Sequence, residues 1–264
     1  MSEREKILRY YRANDDGELA ARLLDLAEVA IKSRKYRISE FVDPHGLSIA
    51  ETIVAHYPQL ILATNGGYSG SERVKVAFIS DDFSGNHDQI DYQLSALQLS
   101  WDERYYHLTH RDVLGALMGL GIKREITGDI MLSGSTSQIV LDSSMAAFVA
   151  QNLTSVGQAV ISISPVSLTD IAPREEKVKE IRSTVASLRL DAIAAAGFGV
   201  SRTKMGDEIA AAKLKVNWQD AKNAAQTVKV GDIISMRGRG RVEICDIPGQ
   251  TKKGRFSVLL KRYL

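Results

Sequence analysis

The chain has 264 residues, 44% of them hydrophobic and 25% charged, which suits a folded protein of two or three domains and excludes a single short module, wholesale disorder, or a collagen-like or coiled-coil rod. A lone cysteine, Cys245, rules out an internal disulfide and a thiolate metal site and points to a reducing, cytoplasmic setting; no stretch is apolar enough for a secretory signal or a membrane span. The net charge of +2 is unevenly spread: residues 174–264 hold 19 lysines and arginines against 10 acids, the preceding residues 15 against 22, so the last third suits a polyanion, with nucleic acid favoured over membrane.

The section to about Ala63 reads as mostly helical. Ser2 and Glu5 have capping-box spacing, and Leu19, Leu23, Leu26, Ala27 and Ala30 recur at helical period. Asp43, Pro44, His45 and Gly46 read as a turn, with Ser48 and Glu51 as a second box. Between these helices lies a basic run in which Lys32, Arg34, Lys35 and Arg37 are candidate accessory RNA contacts, although such runs are commonly just solvated faces.

From about Thr64 to Pro165 strand and helix signals alternate. Val74 to Ser80 and Ser95 to Trp101 read as strands, Thr109 to Leu120 as a helix stopped by Gly121, and Asp129 to Leu132 with Gln138 to Leu141 as a hairpin. Ser143 to Leu153 then reads as a second helix and Ala159 to Ser164 as a last strand. From Ser95 this is a β-α-β-β-α-β order, the ferredoxin-like arrangement shared by RNA-recognition modules. Its hairpin strand Gln138-Ile139-Val140-Leu141 lacks stacking aromatics, and residues 66–173 carry 6 basic against 12 acidic side chains, so RNA binding on the sheet is not assumed. Gly115 and Gly119 read as sites of close helix packing. Pro165 to Pro173 is the best linker candidate.

Nothing in the chain argues for catalysis or a cofactor. The five histidines lack nearby ligands at metal-binding spacing, Asp15-Asp16 and Asp81-Asp82 read as turn residues, and Gly66, Gly67 and Gly70 belong to a hairpin loop that matches no phosphate-binding fingerprint.

The basic third is more specific. Ser187 to Asp191 opens an alanine-rich helix, Gly197 to Val200 turns the chain, and Ser201-Arg202 starts a second helix running to about Ala212. Leu214 to Asn217 and Ile233 to Met236 read as strands, with Lys229 to Asp232 a tight turn. A helix beginning at Ser201 directs free N–H groups and its positive end to where a phosphate can sit. Ser201, Arg202 and Lys204 lie there; Arg189, Lys213 and Lys215 extend the positive surface, and Arg237, Arg239 and Arg241, interleaved with Gly238 and Gly240, read as a flexible basic loop. Arg189 and Asp191 have a plainer reading as a mutual contact that holds the fold. Trp218 can either stack on a base or pack on the domain's own core.

Arg189-Leu190-Asp191, Ser201-Arg202, Val216-Asn217 and Gly231-Asp232, in this order, resemble the S4-type RNA-binding domain; Lys213 and Trp218 depart from its usual small residues. Thr109 to Leu117, Leu120 to Glu125 and Gly128-Asp129-Ile130 resemble the signature of the YlmH family, whose order of parts this chain follows almost throughout. The resemblance implies an α+β multidomain protein: a small α-rich N-terminal domain over 1–63, a ferredoxin-like RNA-binding domain over 64–165 and an S4-type domain over 174–264. It also implies a non-enzymatic bacterial factor that meets ribosomal RNA and tRNA on the large ribosomal subunit during quality control of stalled translation, with cell-division proteins as further partners. An RNA-modifying enzyme with an appended S4-type domain and a division adaptor are the rivals.

Overall fold

The computed structural model describes residues 2–12, 16–171, 178–221 and 223–263, and it divides the chain into two units, residues 1–174 and 175–264. Asp15 of the expected acidic pair, the end of the expected linker (residues 172 and 173) and Arg174, where the expected C-terminal domain begins, lie outside the described residues.

The first unit opens with α1 (Glu3–Arg12), α2 (Gly17–Ser33), β1 (Tyr36–Val42), α3 (Pro44–His56), β2 (Leu60–Asn65) and β3 (Val74–Ser80). Ser2 and Glu5 do form a capping box, through bonds of 2.9 and 3.2 Å. One stripe of α2, including Leu23, Leu24 and Ala27, is buried. At α3 the expected turn is instead the helix start: the Asp43 carboxylate accepts from the Gly46 N–H at 2.9 Å, and Pro44 occupies the first helical position, where its missing N–H costs nothing. Ser48 therefore lies inside the helix.

The three strands form an antiparallel sheet in the order β1-β3-β2. This corrects two expectations. The N-terminal section is not simply helical, because the basic run leads into β1, and the boundary at 63/64 cuts through β2. Val74 to Ser80, assigned to the middle section, is the central strand here and is buried along its whole length, which explains its nearly continuous apolar character.

The same unit continues with β4 (Leu94–Ser100), α4 (His110–Gly119), β5 (Thr127–Ser133), β6 (Thr136–Asp142), α5 (Ser143–Asn152), β7 (Ser155–Val156), β8 (Ala159–Val160) and β9 (Ser162–Val166). The antiparallel sheet runs β5-β6-β4-β9, with each helix crossing between strands that are not neighbours. The expected last strand is split, since Ala159 and Val160 pair with β7 and β9 starts at Ser162. Thr109 and Asp112 cap α4 reciprocally, and Gly121, at φ 82°, takes the left-handed conformation after its end. Gly115 and Gly119 are exposed and an added Cβ would touch nothing at either, so they do not serve close packing.

The helices cover one face of this sheet, over Leu97, Leu99, Ile139 and Leu141. On the other face Ala96, Met131 and Val140 pack against Phe41 of β1 and against Tyr68, Leu168 and Ile171. Polar groups seal this seam. The Asp129 carboxylate accepts from Tyr68 Oη (2.7 Å) and from the N–H groups of Glu72 (2.7 Å) and Arg73 (3.1 Å). Arg73 donates onward to the carbonyls of Thr127, Phe41 and Arg124, and Lys75, 3% exposed, pairs with Asp142. Burial, and then the charge of Arg73, pulls the Arg124 guanidinium down to about 10, which leaves it charged at neutral pH.

The second unit contains β10 (Val178–Val185), α6 (Leu190–Phe198), α7 (Arg202–Ala210), β11 (Leu214–Val216), β12 (Gln219–Asp220), β13 (Ile233–Met236), β14 (Gly240–Gln250) and β15 (Phe256–Tyr263). Its antiparallel sheet runs β10-β15-β14-β13-β11-β12. Both helices pack on it through Ile193, Phe198, Met205 and Ile209, against Ile234, Val242 and Leu260. Gly197 permits this approach: a Cβ there would stand 2.6 Å from Val242 Cγ1. The flanking strands β10, β14 and β15 have no counterpart among the sequence-predicted elements.

Candidate nucleic-acid interface

Gly199, at φ 68°, ends α6 in the left-handed conformation, and three residues later α7 begins. Ser201 caps α7, its Oγ accepting from the Lys204 N–H at 3.2 Å. The first turn of α7 carries no acid and two exposed cations, Arg202 and Lys204. Helix ends favour the opposite arrangement, by about 0.3–1 kcal/mol per charge. Positive charge placed there is unfavourable for folding and well suited to an external anion.

Beside this turn sits Asp191, 7% exposed. It accepts from Arg202 Nη2 at 2.7 Å and from Arg189 Nε and Nη2 at 3.3 and 3.4 Å. Burial opposes its charge, yet the hydrogen bonds from Arg202 and then Arg189 outweigh burial and hold the carboxyl below its usual range. The structure thus brings Arg189 and Arg202 together over one buried acid. Their side chains remain 43% and 51% exposed. A guanidinium has five N–H donors, so each keeps donors for a second partner.

A second group forms around Glu208. Lys213 Nζ lies 2.7 Å from its carboxylate and lowers its pKa through that bond, while Lys204 and Arg239 add to the lowering through their charges. Arg237 is close to Lys213, because its N–H donates to the Lys213 carbonyl at 3.0 Å. Lys215 is exposed on β11, 3.6 Å from Asp220. The left-handed residue before β11 is Ala212, at φ 52°, and Lys213 follows it.

The expected flexible loop of Arg237, Arg239 and Arg241 is a tight turn. Arg239 N–H donates to the Met236 carbonyl at 3.0 Å, Gly238 and Gly240 take left-handed conformations, and Arg241 lies within β14 with its guanidinium 5.4 Å from the Tyr263 ring centre. Arg262, absent from the sequence reading, braces this turn. It donates to the carbonyls of Phe198 (3.3 Å) and Arg239 (3.5 Å) and lies over the Phe198 ring.

Trp218 is half-buried at the tip of the β11–β12 hairpin and is outside the unit's core cluster, so core packing does not account for it. Asn217 and Trp218 both have positive φ, 49° and 66°. Asn217 and Asp232 hold the fold: Asn217 Nδ2 donates to the Asp232 carboxylate at 3.0 Å, and Asn217 Oδ1 accepts from the Ile233 N–H at 2.9 Å.

The basic run near β1 belongs to the first unit. Arg34 is 3.4 Å from Asp82, Arg37 donates to the Tyr36 carbonyl at 2.8 Å, and Lys32 and Lys35 are exposed. No group of three or more metal-ligating side chains is found among the described residues, and no helix among them is long and apolar enough to cross a membrane.

Residues 15–83 match the family model described as "YlmH, N-terminal", and residues 88–170 the model described as "Putative RNA-binding domain in YlmH". A Bacillus subtilis (strain 168) protein, "Ribosome-associated protein quality control protein P2", is 30% identical over 256 residues, 97% of this chain and 98% of that one. The chain belongs to the YlmH family. Residues 179–238 also match the model for "Mitochondrial transcription rescue factor 1, C-terminal domain". A solved structure, "Cell division protein ylmH from Streptococcus pneumoniae", covers 60% of this chain and 95% of its own at 21% identity with a TM-score of 0.51, a likeness of fold alone. The YlmH N-terminal match ends three residues after β3, in agreement with the place of that strand in the first sheet. Arg124, Gly128 and Asp129 of the YlmH signature lie in the seam between the two sheets of the first unit: a Cβ at Gly128 would stand 2.8 Å from Phe41 Cε1.

Proposed function

We propose that this chain is a non-enzymatic, cytoplasmic RNA-binding factor that docks on ribosomal RNA and tRNA of the large ribosomal subunit during rescue or quality control of stalled translation. Residues 174–264 act as an S4-type RNA-binding domain; the module from β4 to β9 is ferredoxin-like and serves mainly to position it. The observation that carries this reading is the first turn of α7, where Arg202 and Lys204 stand at the positive end of a helix and Arg202 is steered, with Arg189, by Asp191. Lys213, Lys215, Arg237, Arg239 and Arg241 extend the contact and Trp218 is accessory to it, while Lys32, Arg34, Lys35 and Arg37 of the first unit are accessory RNA contacts of their own. The name of the Bacillus relative supports a ribosomal setting.

The covered sheet face of the middle module argues against RNA stacking there. Phe41 and Tyr68 pack on it rather than standing free, and no aromatic lies on β6.

The experiment is sedimentation of the tagged protein from lysate, at low and raised salt, with and without translational stalling. Salt-sensitive migration with large subunits that increases on stalling is expected. A protein that stays at the top of the gradient in every condition, and retains division proteins after RNase treatment, would replace this reading with that of a division adaptor.

A further inference from the structure

Between the end of β10 and α6 lies a cavity of about 260 Å³. Val185, Ala192, Ala195 and Ala196 give it an apolar lining, with the three alanines spaced along one stripe of α6. Arg202 and Arg255 also line it, and among the described residues no acidic side chain does. Both guanidiniums are held in advance. Arg202 is fixed by Asp191, and Arg255 donates from Nη2 to the Thr184 carbonyl at 2.7 Å and from Nε to Thr184 Oγ1 at 3.3 Å. Arg255 is exposed and lies outside the set of cations read from the sequence.

A small cavity of mixed lining between two oriented guanidiniums, continuous through Arg202 with the proposed RNA contact, suits one nucleotide: a base that sets its face against the partly exposed Ala196, with flanking phosphates on the two arginines. Structured RNA is read largely through bases splayed out of loops and bulges. The cavity is smaller than the usual range for drug-sized ligands, about 300–1,000 Å³. We propose that this cavity of the C-terminal unit captures a single unstacked nucleobase of the bound RNA, with Arg202 and Arg255 gripping the phosphates on either side of it. The proposal rests on the RNA-binding reading above and adds the feature of RNA structure that the protein selects.

The test uses the full-length protein and two fluorescently labelled RNA hairpins, one fully paired and one with a single unpaired adenosine, compared by anisotropy. The bulged hairpin is expected to bind roughly tenfold tighter, the ratio set by about 1.4 kcal/mol. Ala196→Leu, which fills the cavity, and Arg255→Ala should each bring the ratio close to one. An unfolding midpoint is recorded for both, and Arg255→Ala decides where Ala196→Leu is destabilised. Equal binding of the two hairpins by the unaltered protein, or a ratio unmoved by the deciding variant, overturns the inference. The double variant Arg202→Ala, Lys204→Ala separates the two levels. Where the hairpin ratio has overturned base capture, a double variant that still weakens both hairpins leaves RNA binding through α7 standing; one that weakens neither overturns the RNA-binding reading as well.

Discussion

Arg202 and Lys204 are two residues apart on one helical turn, yet their truncation should have different consequences. Lys204 is exposed at the positive end of α7, so Lys204→Ala should leave stability unchanged or raise it by up to about 1 kcal/mol. Arg202→Ala relieves the same repulsion but removes the 2.7 Å bond to Asp191, leaving that carboxylate with Arg189 at 3.3 and 3.4 Å. Breaking a fully buried ion pair costs about 3–5 kcal/mol. Here Arg202 is 51% exposed and Asp191 keeps a partner, so solvent screening reduces the expected loss to about 1–2 kcal/mol. Hydrogen exchange across α6 should report it, as a protection loss of about 5–30-fold. Both variants should weaken binding to structured RNA, each lowering the slope of log affinity against log salt by about 0.7–0.9. Equal stability losses in the two variants would refute the role given to Asp191. Unchanged affinity and slope in Lys204→Ala would refute phosphate contact at α7.

Asp129→Ala removes the acceptor for three hydrogen bonds in the seam of the first unit and should destabilise it by about 2–3 kcal/mol, read as a lower urea midpoint. Gly128→Ala should cost about 1–3 kcal/mol, because its Cβ would press on Phe41 and on the Val140 carbonyl 3.2 Å away; an unchanged midpoint would show that the seam can give way. On acidification, the sign follows from Asp191 and Asp142. In Asp142, as in Asp191, burial opposes the charge but is outweighed, here by hydrogen bonds from Lys75 and Ser144, so both folded-state pKa values are depressed. Their contribution is fully present above the ordinary carboxylate value of about 4 and is lost as pH falls through the folded values. Urea midpoints should therefore fall below about pH 4, and a midpoint that rises there would contradict both pairings. Trp218→Gly should relieve a left-handed residue and stabilise the second unit by about 1 kcal/mol. If the indole stacks on a base, the same change weakens RNA binding by about 1–3 kcal/mol, so stability and affinity would move in opposite directions.

What could be read from the sequence was carried by local signals. The Thr109 cap, Gly121 and the hairpin turn at Gly134 and Ser135 mark their elements within a few residues, and the Ser201 start of α7 follows the same logic. Val74 to Ser80 was misplaced because its run of apolar residues says that it is buried but not in which sheet; that depends on pairing with β1 and β2, distant in the chain. Arg73, Lys75 and Arg124 were invisible as a group for the same reason, since their partners come from three different strands and a turn. Arg255 and Arg262 lie on or beside β15, whose own residues carry no motif, and only the fold brings them to Thr184 and Phe198. The charge difference between the parts of the chain has a structural counterpart. In the first unit Arg73, Lys75 and Arg124 are spent inside the protein on carbonyls and carboxylates. In the second, Asp191 and Glu208 hold one side of Arg189, Arg202 and Lys213 and leave the other side open to solvent. The acids of the C-terminal unit orient its cations more than they cancel them, which is the arrangement a phosphate backbone requires.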